Sequence, residues 1–352
     1  MRKKNVSLPR GVAQLSLREY LDERYRFEQL ERIFKLWGYL SVVTPLVDFF
    51  SIYEKMLTPE EIRSTYRLLD REGELLLIRS DITLFLARQI GIQIPHVTLP
   101  LRLSYSGEIL RHSSGGDFVN SDIHQSGIEL IGAPALEGDI EILLLLFEAL
   151  DALGGKNVVV HLGSWSFLSK CAQSFHIERN TFVSAIQKRD ATQLAHILPK
   201  TMQKLLSVLF FIGTVDEFTA CVDLVLPLLD DSLAHELDYL LRIGNIIAQT
   251  DFRARLRIDL SETAMRDYYS GIVFSAYDPD ANATVSSGGR YDALLAHFSH
   301  PTPAAGFSIY PYKMCTQEIL ADNTIKTAKG NNILEKYRHA KKYREQGHIT
   351  TL

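Results

Sequence analysis

The chain has 352 residues, 46% hydrophobic and 23% charged, which is the composition of an ordinary soluble globular protein long enough to bury a large core. Its 38 basic and 42 acidic residues leave a formal net charge of −4, so there is no electrostatic footprint for a polyanion and tRNA or other nucleic acid is not the expected partner. Cys171, Cys221 and Cys315 are too dispersed for a disulfide framework or a zinc site, the basic start at residues 1–4 leads into polar residues and Pro9 rather than a secretory core, and the apolar runs at 142–147 and 205–215 are too short to span a bilayer. A reduced, cytoplasmic, membrane-free setting is expected.

Leu17, Leu21, Phe27, Leu30, Ile33, Phe34 and Trp37 recur at helical spacing, and Gly38 stops the helix they define over 16–37. A short strand over 39–43 ends at Thr44 and Pro45. A helical stretch at 59–69 and a strand at 74–78 follow, and then the run Arg79-Ser80-Asp81-Ile82-Thr83 opens a helix. A bare reading makes Ser80 or Asp81 its cap. The arms 99–112 and 122–131 carry polar groups at alternate positions, which places Arg111, Gln125, Gly127 and Glu129 on one sheet face. Their connection, 113–121, holds Gly115 and Gly116 and a single charge, Asp117, and reads as an uncharged turn.

A helix over 133–153 and a buried strand over 158–162 come next, and 164–248 reads as helical, its apolar positions forming core rather than chemistry. The sheet resumes near 255–260. Tyr268 and Tyr269 follow in an extended stretch, and 286–294 reads as a tight glycine turn that leads into a helix and presents Arg290. His297 and His300 have no further ligand nearby, so no metal site is expected. Beyond a low-complexity stretch at 321–332, a basic helix over 333–346 carries Lys336, Arg338, Lys341, Lys342 and Arg344 as a solvated face.

Taken together, these stretches resemble class II aminoacyl-tRNA synthetases of the histidine–tRNA ligase form. The return arm His124-Gln125-x-Gly127-x-Glu129-x-x-Gly132 resembles motif 2, Arg79-x-Asp81-x-Thr83 an amino-acid-binding segment, Asp267-Tyr268-Tyr269 with Val273-Phe274 the histidine-specific stretch, and Ala305-Gly306-Phe307 the start of motif 3. The resemblance implies an α+β fold: a class II synthetase-like antiparallel sheet flanked by helices, with a helical insertion at about 164–250, a core over 1–320 and a short tail over 321–352. It also implies a dimer through the segment around residues 39–45.

The departures from the family fall on one side of its chemistry. Activating an amino acid with ATP requires cations and donors positioned on the reacting phosphate. Of the arginines the resemblance implies for that task, one is kept as Arg111, one falls on Lys313, which lacks the planar fork, and one falls on Ala264. The motif 2 loop has no cation over 118–121, and the motif glutamate is Ser113. The set implied for the amino acid remains: Asp81, Thr83, Arg111, Gln125, Glu129, Tyr268 and Tyr269 form the expected histidine pocket, with no catalytic residue, metal or cofactor.

This combination is similar to the regulatory subunits of ATP phosphoribosyltransferase. It implies a non-catalytic chain in a hetero-oligomer with a short-form catalytic subunit, needed for that subunit's activity and for feedback inhibition by histidine. Two alternatives stay open on sequence alone: an active histidine–tRNA ligase with a degenerate clamp, and a stand-alone histidine-binding protein.

Overall fold

The structure, a computed structural model, describes residues 15–93, 96–112, 121–263, 268–298, 301–314, 326–327, 329, 333–345 and 350–351. Ser16 starts α1 (Leu17–Leu36) with a capping box, its hydroxyl accepting from the Glu19 amide while the Glu19 carboxylate accepts from the Ser16 amide at 2.7 Å. Gly38, at φ +81°, turns the chain out of the helix into β1 (Leu40–Ser41). Next come β2 (Val47–Phe49), α2 (Phe50–Tyr53), α3 (Pro59–Ser64), β3 (Arg67–Leu69) and β4 (Leu75–Ile78). The expected helix over 59–69 therefore stops at Ser64. Thr65 takes up extended backbone and residues 67–69 pair with β4, whose edge offers them hydrogen-bond partners.

After α4 (Ile82–Gly91) comes the hairpin of β5 (Leu101–Leu110) and β6 (Asp122–Ile131), close to the two arms read from alternation. Its connecting turn lies outside the described residues apart from Ser121. After α5 (Ala135–Ala152) and β7 (Val159–Ser164) the chain is helical through α6 (Trp165–Ser174), α7 (Arg179–Gln187), α8 (Ala191–Ile197) and α9 (Leu206–Leu209). It then touches the sheet with β8 (Ile212–Gly213) and continues as α10 (Val215–Val225) and α11 (Asp231–Ile247). The last strands are β9 (Leu256–Asp259), β10 (Ile272–Asp278), β11 (Ala283–Arg290) and β12 (Ala304–Ile309), and α12 (Ile333–Glu345) lies in the tail, with Arg338, Lys341 and Lys342 exposed.

Nine strands make one sheet in the order β1-β5-β6-β12-β11-β10-β7-β9-β8, antiparallel except at β1/β5 and β7/β9, and β2, β4 and β3 form a small second sheet. The two faces of the large sheet bury different clusters. Ile128, Leu130, Phe274 and Phe307 pack with α1, α5 and the helical segment, while Leu103, Tyr105, Ile109 and Ile131 pack with Phe85 and Ile90 of α4. The second face carries the cavity described below.

The expected glycine turn at 286–294 is instead strand β11, in the middle of the sheet. A side chain at Gly288 would meet the Phe274 ring and the Phe307 Cβ at 2.6 Å, so glycine is required there for close packing rather than for a bend. Arg290 is likewise not presented to a ligand. It is buried, bound to Asp139 at 2.7 and 2.8 Å, to Asp292 and to the Ala135 carbonyl.

Candidate functional site

Strand register builds the cavity floor. On one face of the sheet His161, Ser275, Ser287, Ser308, Gly127 and Tyr105 lie side by side on successive strands β7, β10, β11, β12, β6 and β5. Two residues along, the neighbouring row runs Gly163, Val273, Gly289, Gly306 and Glu129. Small residues in both rows leave room for groups that lean over the sheet. A Cβ on Gly306 would collide with the Glu129 carboxylate, one on Gly289 would meet the Tyr269 ring at 2.9 Å, and one on Gly163 would meet Glu262 Cβ at 3.1 Å. The result is a cavity of about 250 Å³ walled by Asp81, Arg111, Tyr268, Tyr269, Tyr291 and Lys313 above that floor.

Carboxyl groups dominate one side. Glu129 is 2% exposed and accepts from the Thr83 hydroxyl at 2.6 Å and from the Tyr291 hydroxyl. Burial pushes its pKa well above the usual carboxylate range, with Asp81 adding to the shift. The Tyr105 hydroxyl bridges towards Ser308 at 2.9 Å, passing over Gly127, where any side chain would strike it. Tyr268, Tyr269 and Tyr291 meet edge to face or tilted, with centroids 5.0 to 6.3 Å apart, and form an aromatic wall.

The cations are arranged differently. Arg111 gives its Nε to the Ser80 carbonyl at 2.6 Å and an Nη to Asp81 Oδ2 at 3.2 Å. Lys313 sits over the Tyr310 and Tyr312 rings at 4.9 and 5.9 Å, and burial together with nearby Arg111 lowers its pKa. Both positive groups thus already have partners within the protein.

Six of the seven residues expected at the pocket, Asp81, Thr83, Arg111, Glu129, Tyr268 and Tyr269, line this one cavity. Asp81 does two things at once. One oxygen caps α4 through the Leu84 amide at 3.1 Å, and the other meets Arg111, so Asp81 caps the helix and also lines the cavity. Gln125 is the exception. It is 1% exposed and its Nε2 donates to Ser308, so it supports the floor, while its Oε1 is buried and has no hydrogen-bond partner among the described residues. Arg79 and His124 point elsewhere: Arg79 ties Thr44 to the Glu108 carbonyl, and His124 stacks on Phe27 at 3.8 Å. Ala264 and Arg266 lie outside the described residues.

Sequence reading missed Glu262, Tyr291, Tyr310 and the serine floor. Tyr291 was within reach, because it follows Arg290 at a strand end; the others depend on register across distant strands, which no local pattern carries. Among the described residues no helix is long and apolar enough to cross a membrane.

The family described as Histidyl-tRNA synthetase matches residues 11–314. A relative from Moorella thermoacetica, described as an ATP phosphoribosyltransferase regulatory subunit, is 31% identical over 86% of this chain and 80% of its own length, and one of the same description from Geobacter sulfurreducens is 30% identical over 86% and 70%. In fold, the chain is similar to a solved structure from Bacillus halodurans, described as an ATP phosphoribosyltransferase regulatory subunit/histidyl-tRNA synthetase, with a TM-score of 0.81, 21% identity and coverage of 99% and 92%. A histidyl-tRNA synthetase from a Nostoc species gives 0.78, 19%, 99% and 86%. The chain belongs to the histidyl-tRNA synthetase family and, within it, to the ATP phosphoribosyltransferase regulatory subunits.

Proposed function

From that membership as premise, we propose that the chain is the non-catalytic regulatory partner of a short-form ATP phosphoribosyltransferase catalytic subunit in the first step of histidine biosynthesis, and that histidine is the effector bound in the cavity. In this reading Asp81 and Glu129 receive the donors of the amino acid, Arg111 faces its carboxylate, and the three tyrosines enclose the ring. Gln125 acts from beneath, through Ser308. We read the chain up to about residue 320 as one synthetase-like core with an inserted helical segment, working as a dimer inside a larger hetero-oligomer in the cytoplasm.

The observation that carries the proposal is the state of the cations. A triphosphate is held by arginines free to fork onto its oxygens. Here Arg111 is bound to Ser80 and Asp81, and Lys313 is packed on tyrosine rings. An oxyanion-stabilising donor lost from such a site costs about 10² to 10³ in rate, so adenylate formation is not supported. Effector and partner must be coupled reciprocally. Calorimetric titration of L-histidine into the chain alone and into its complex with the catalytic subunit tests this: the reading expects saturable binding in both, with different affinity, and equal affinity in the two would remove the allosteric part. Histidine-dependent exchange of pyrophosphate into ATP at a synthetase-like rate would restore the ligase reading.

A further inference from the structure

The cavity holds three carboxyl groups, and two of them already have strong partners. Asp81 faces a guanidinium, and Glu129 takes two hydroxyl donors. The third, Glu262, accepts one hydroxyl, that of Ser275 at 2.9 Å, and among the described residues no lysine or arginine comes within ion-pair distance of it. The loop that carries Glu262 is held over Gly163 by the tight turn from Asp259, whose carbonyl accepts from the Glu262 amide at 3.1 Å. Ser275, Ser287 and the Thr284 side chain surround that end with further hydroxyls, and Lys313 and Arg111 belong to the cation side already described.

Register sets the separation of Glu129 and Glu262, the two cavity acids with no cationic partner among the described residues. Glu129 leans over Gly306 on β12, Glu262 is bonded to Ser275 on β10, and β11 lies between them. Two strand spacings amount to about 10 Å. The cavity is therefore elongated, with an acceptor at each end and the Tyr269 ring between, over a floor of glycine and serine.

We infer that the Glu262 end of the cavity is a subsite for a protonated nitrogen group, an ammonium, imidazolium or guanidinium, with Glu262 as its acceptor and Ser275 as the hydroxyl that orients the carboxylate. Glu262 is half-buried, with one neutral hydroxyl donor and the His161 ring as the nearest basic group, and a cation is the ligand that offsets the desolvation of such a carboxylate best. Burial and nearby Asp259 push the Glu262 carboxyl above its ordinary range, which is the state a cation would reverse on binding. An anion would be repelled there. The charge could come from the side chain of the same molecule that Glu129 holds or from a second small cation; both have the same chemistry at Glu262. The inference rests on the cavity and goes beyond the histidine reading, since neither the family likeness nor the expected pocket assigned this residue.

The test titrates L-histidine, agmatine and D-ribose separately into the full chain and into its Glu262→Gln and Ser275→Ala variants, with agmatine repeated in the presence of saturating histidine. Circular dichroism and melting temperature check that the variants fold. The inference expects a tenfold or greater loss of affinity in Glu262→Gln, and a smaller loss in Ser275→Ala, for histidine if its own side chain occupies the subsite or for agmatine if a second molecule does. Unchanged affinity for both in folded Glu262→Gln overturns it, and so does a Glu262 dependence confined to ribose, which would make the subsite one for a neutral polyol. Should histidine fail to bind the unsubstituted chain while agmatine binds through Glu262, the proposed effector falls and the subsite stands.

Discussion

The acidic and the cationic sides of this cavity share a floor but not a state of readiness. On the acidic side Thr83, Glu129 and Tyr291 hold one another at hydrogen-bonding distance with their polar atoms turned to one small space. On the cationic side Arg111 and Lys313 spend their charge on Asp81, the Ser80 carbonyl and two tyrosine rings. The first side turns its acceptors to the cavity, as the proposed binding of a small amino acid requires; the second would have to surrender existing contacts before it could grip a phosphate. In the proposed reading, a site loses a reaction both when residues are substituted and when those that remain are given other partners.

The comparison breaks hardest at Glu129. Replacing it with alanine removes the acceptor of the buried Tyr291 hydroxyl and leaves the Thr83 hydroxyl only the longer contact to Tyr105 at 3.4 Å, and histidine affinity measured by calorimetry should fall about 100-fold, in line with the cost of lost buried hydrogen bonds. Asp81→Asn is the next largest. It keeps the cap on α4 but removes the charge facing Arg111, and a loss of about tenfold in histidine affinity is expected, with a small change in melting temperature because the Arg111 partner is partly exposed.

A pH comparison sharpens the account of Glu129 itself. Its folded pKa is raised, so its contribution to stability is complete below the unfolded value near 4.5 and declines as pH rises towards the folded value. A Glu129→Gln variant has no such dependence. Melting curves should therefore show the unsubstituted protein losing its stability margin over that variant as pH is raised from 4.5 to 8; a margin that grows with pH would mean the carboxylate is stabilised as an anion. The smallest effect belongs to the cationic side. Lys313→Ala should shift histidine affinity less than about twofold, because its charge is engaged by aromatic rings rather than by the cradle. A loss comparable to that of Asp81→Asn would erase the distinction between the two sides.

Much of this was legible in the sequence, in specific places. Alternation placed the hairpin arms and set Glu129 on the cavity face, and the helical spacing from Leu17 to Trp37 gave α1. What failed did so where meaning depends on distant neighbours. The glycines of β11 suggested a turn, yet Gly288 is small because Phe274 and Phe307 crowd it from adjacent strands and Gly289 because the Tyr269 ring lies over it. Arg290 looked available until Asp139, 151 residues away, was found beside it. Glu262 follows a strand in a loop with no local signature, and only the register of β10 and β7 carries it to the cavity. Gln125, expected at the pocket, lies beneath its floor and donates to Ser308, because a strand position fixes the face but not the depth.

The most direct test of the central claim, that the cavity built around the acidic and tyrosine side is a working site for histidine, is calorimetric titration of L-histidine into the purified chain and its Glu129→Ala variant. The account predicts saturable binding with one histidine per chain in the first and about 100-fold weaker binding in the second. No binding to the unsubstituted chain, or equal binding to both, would contradict it.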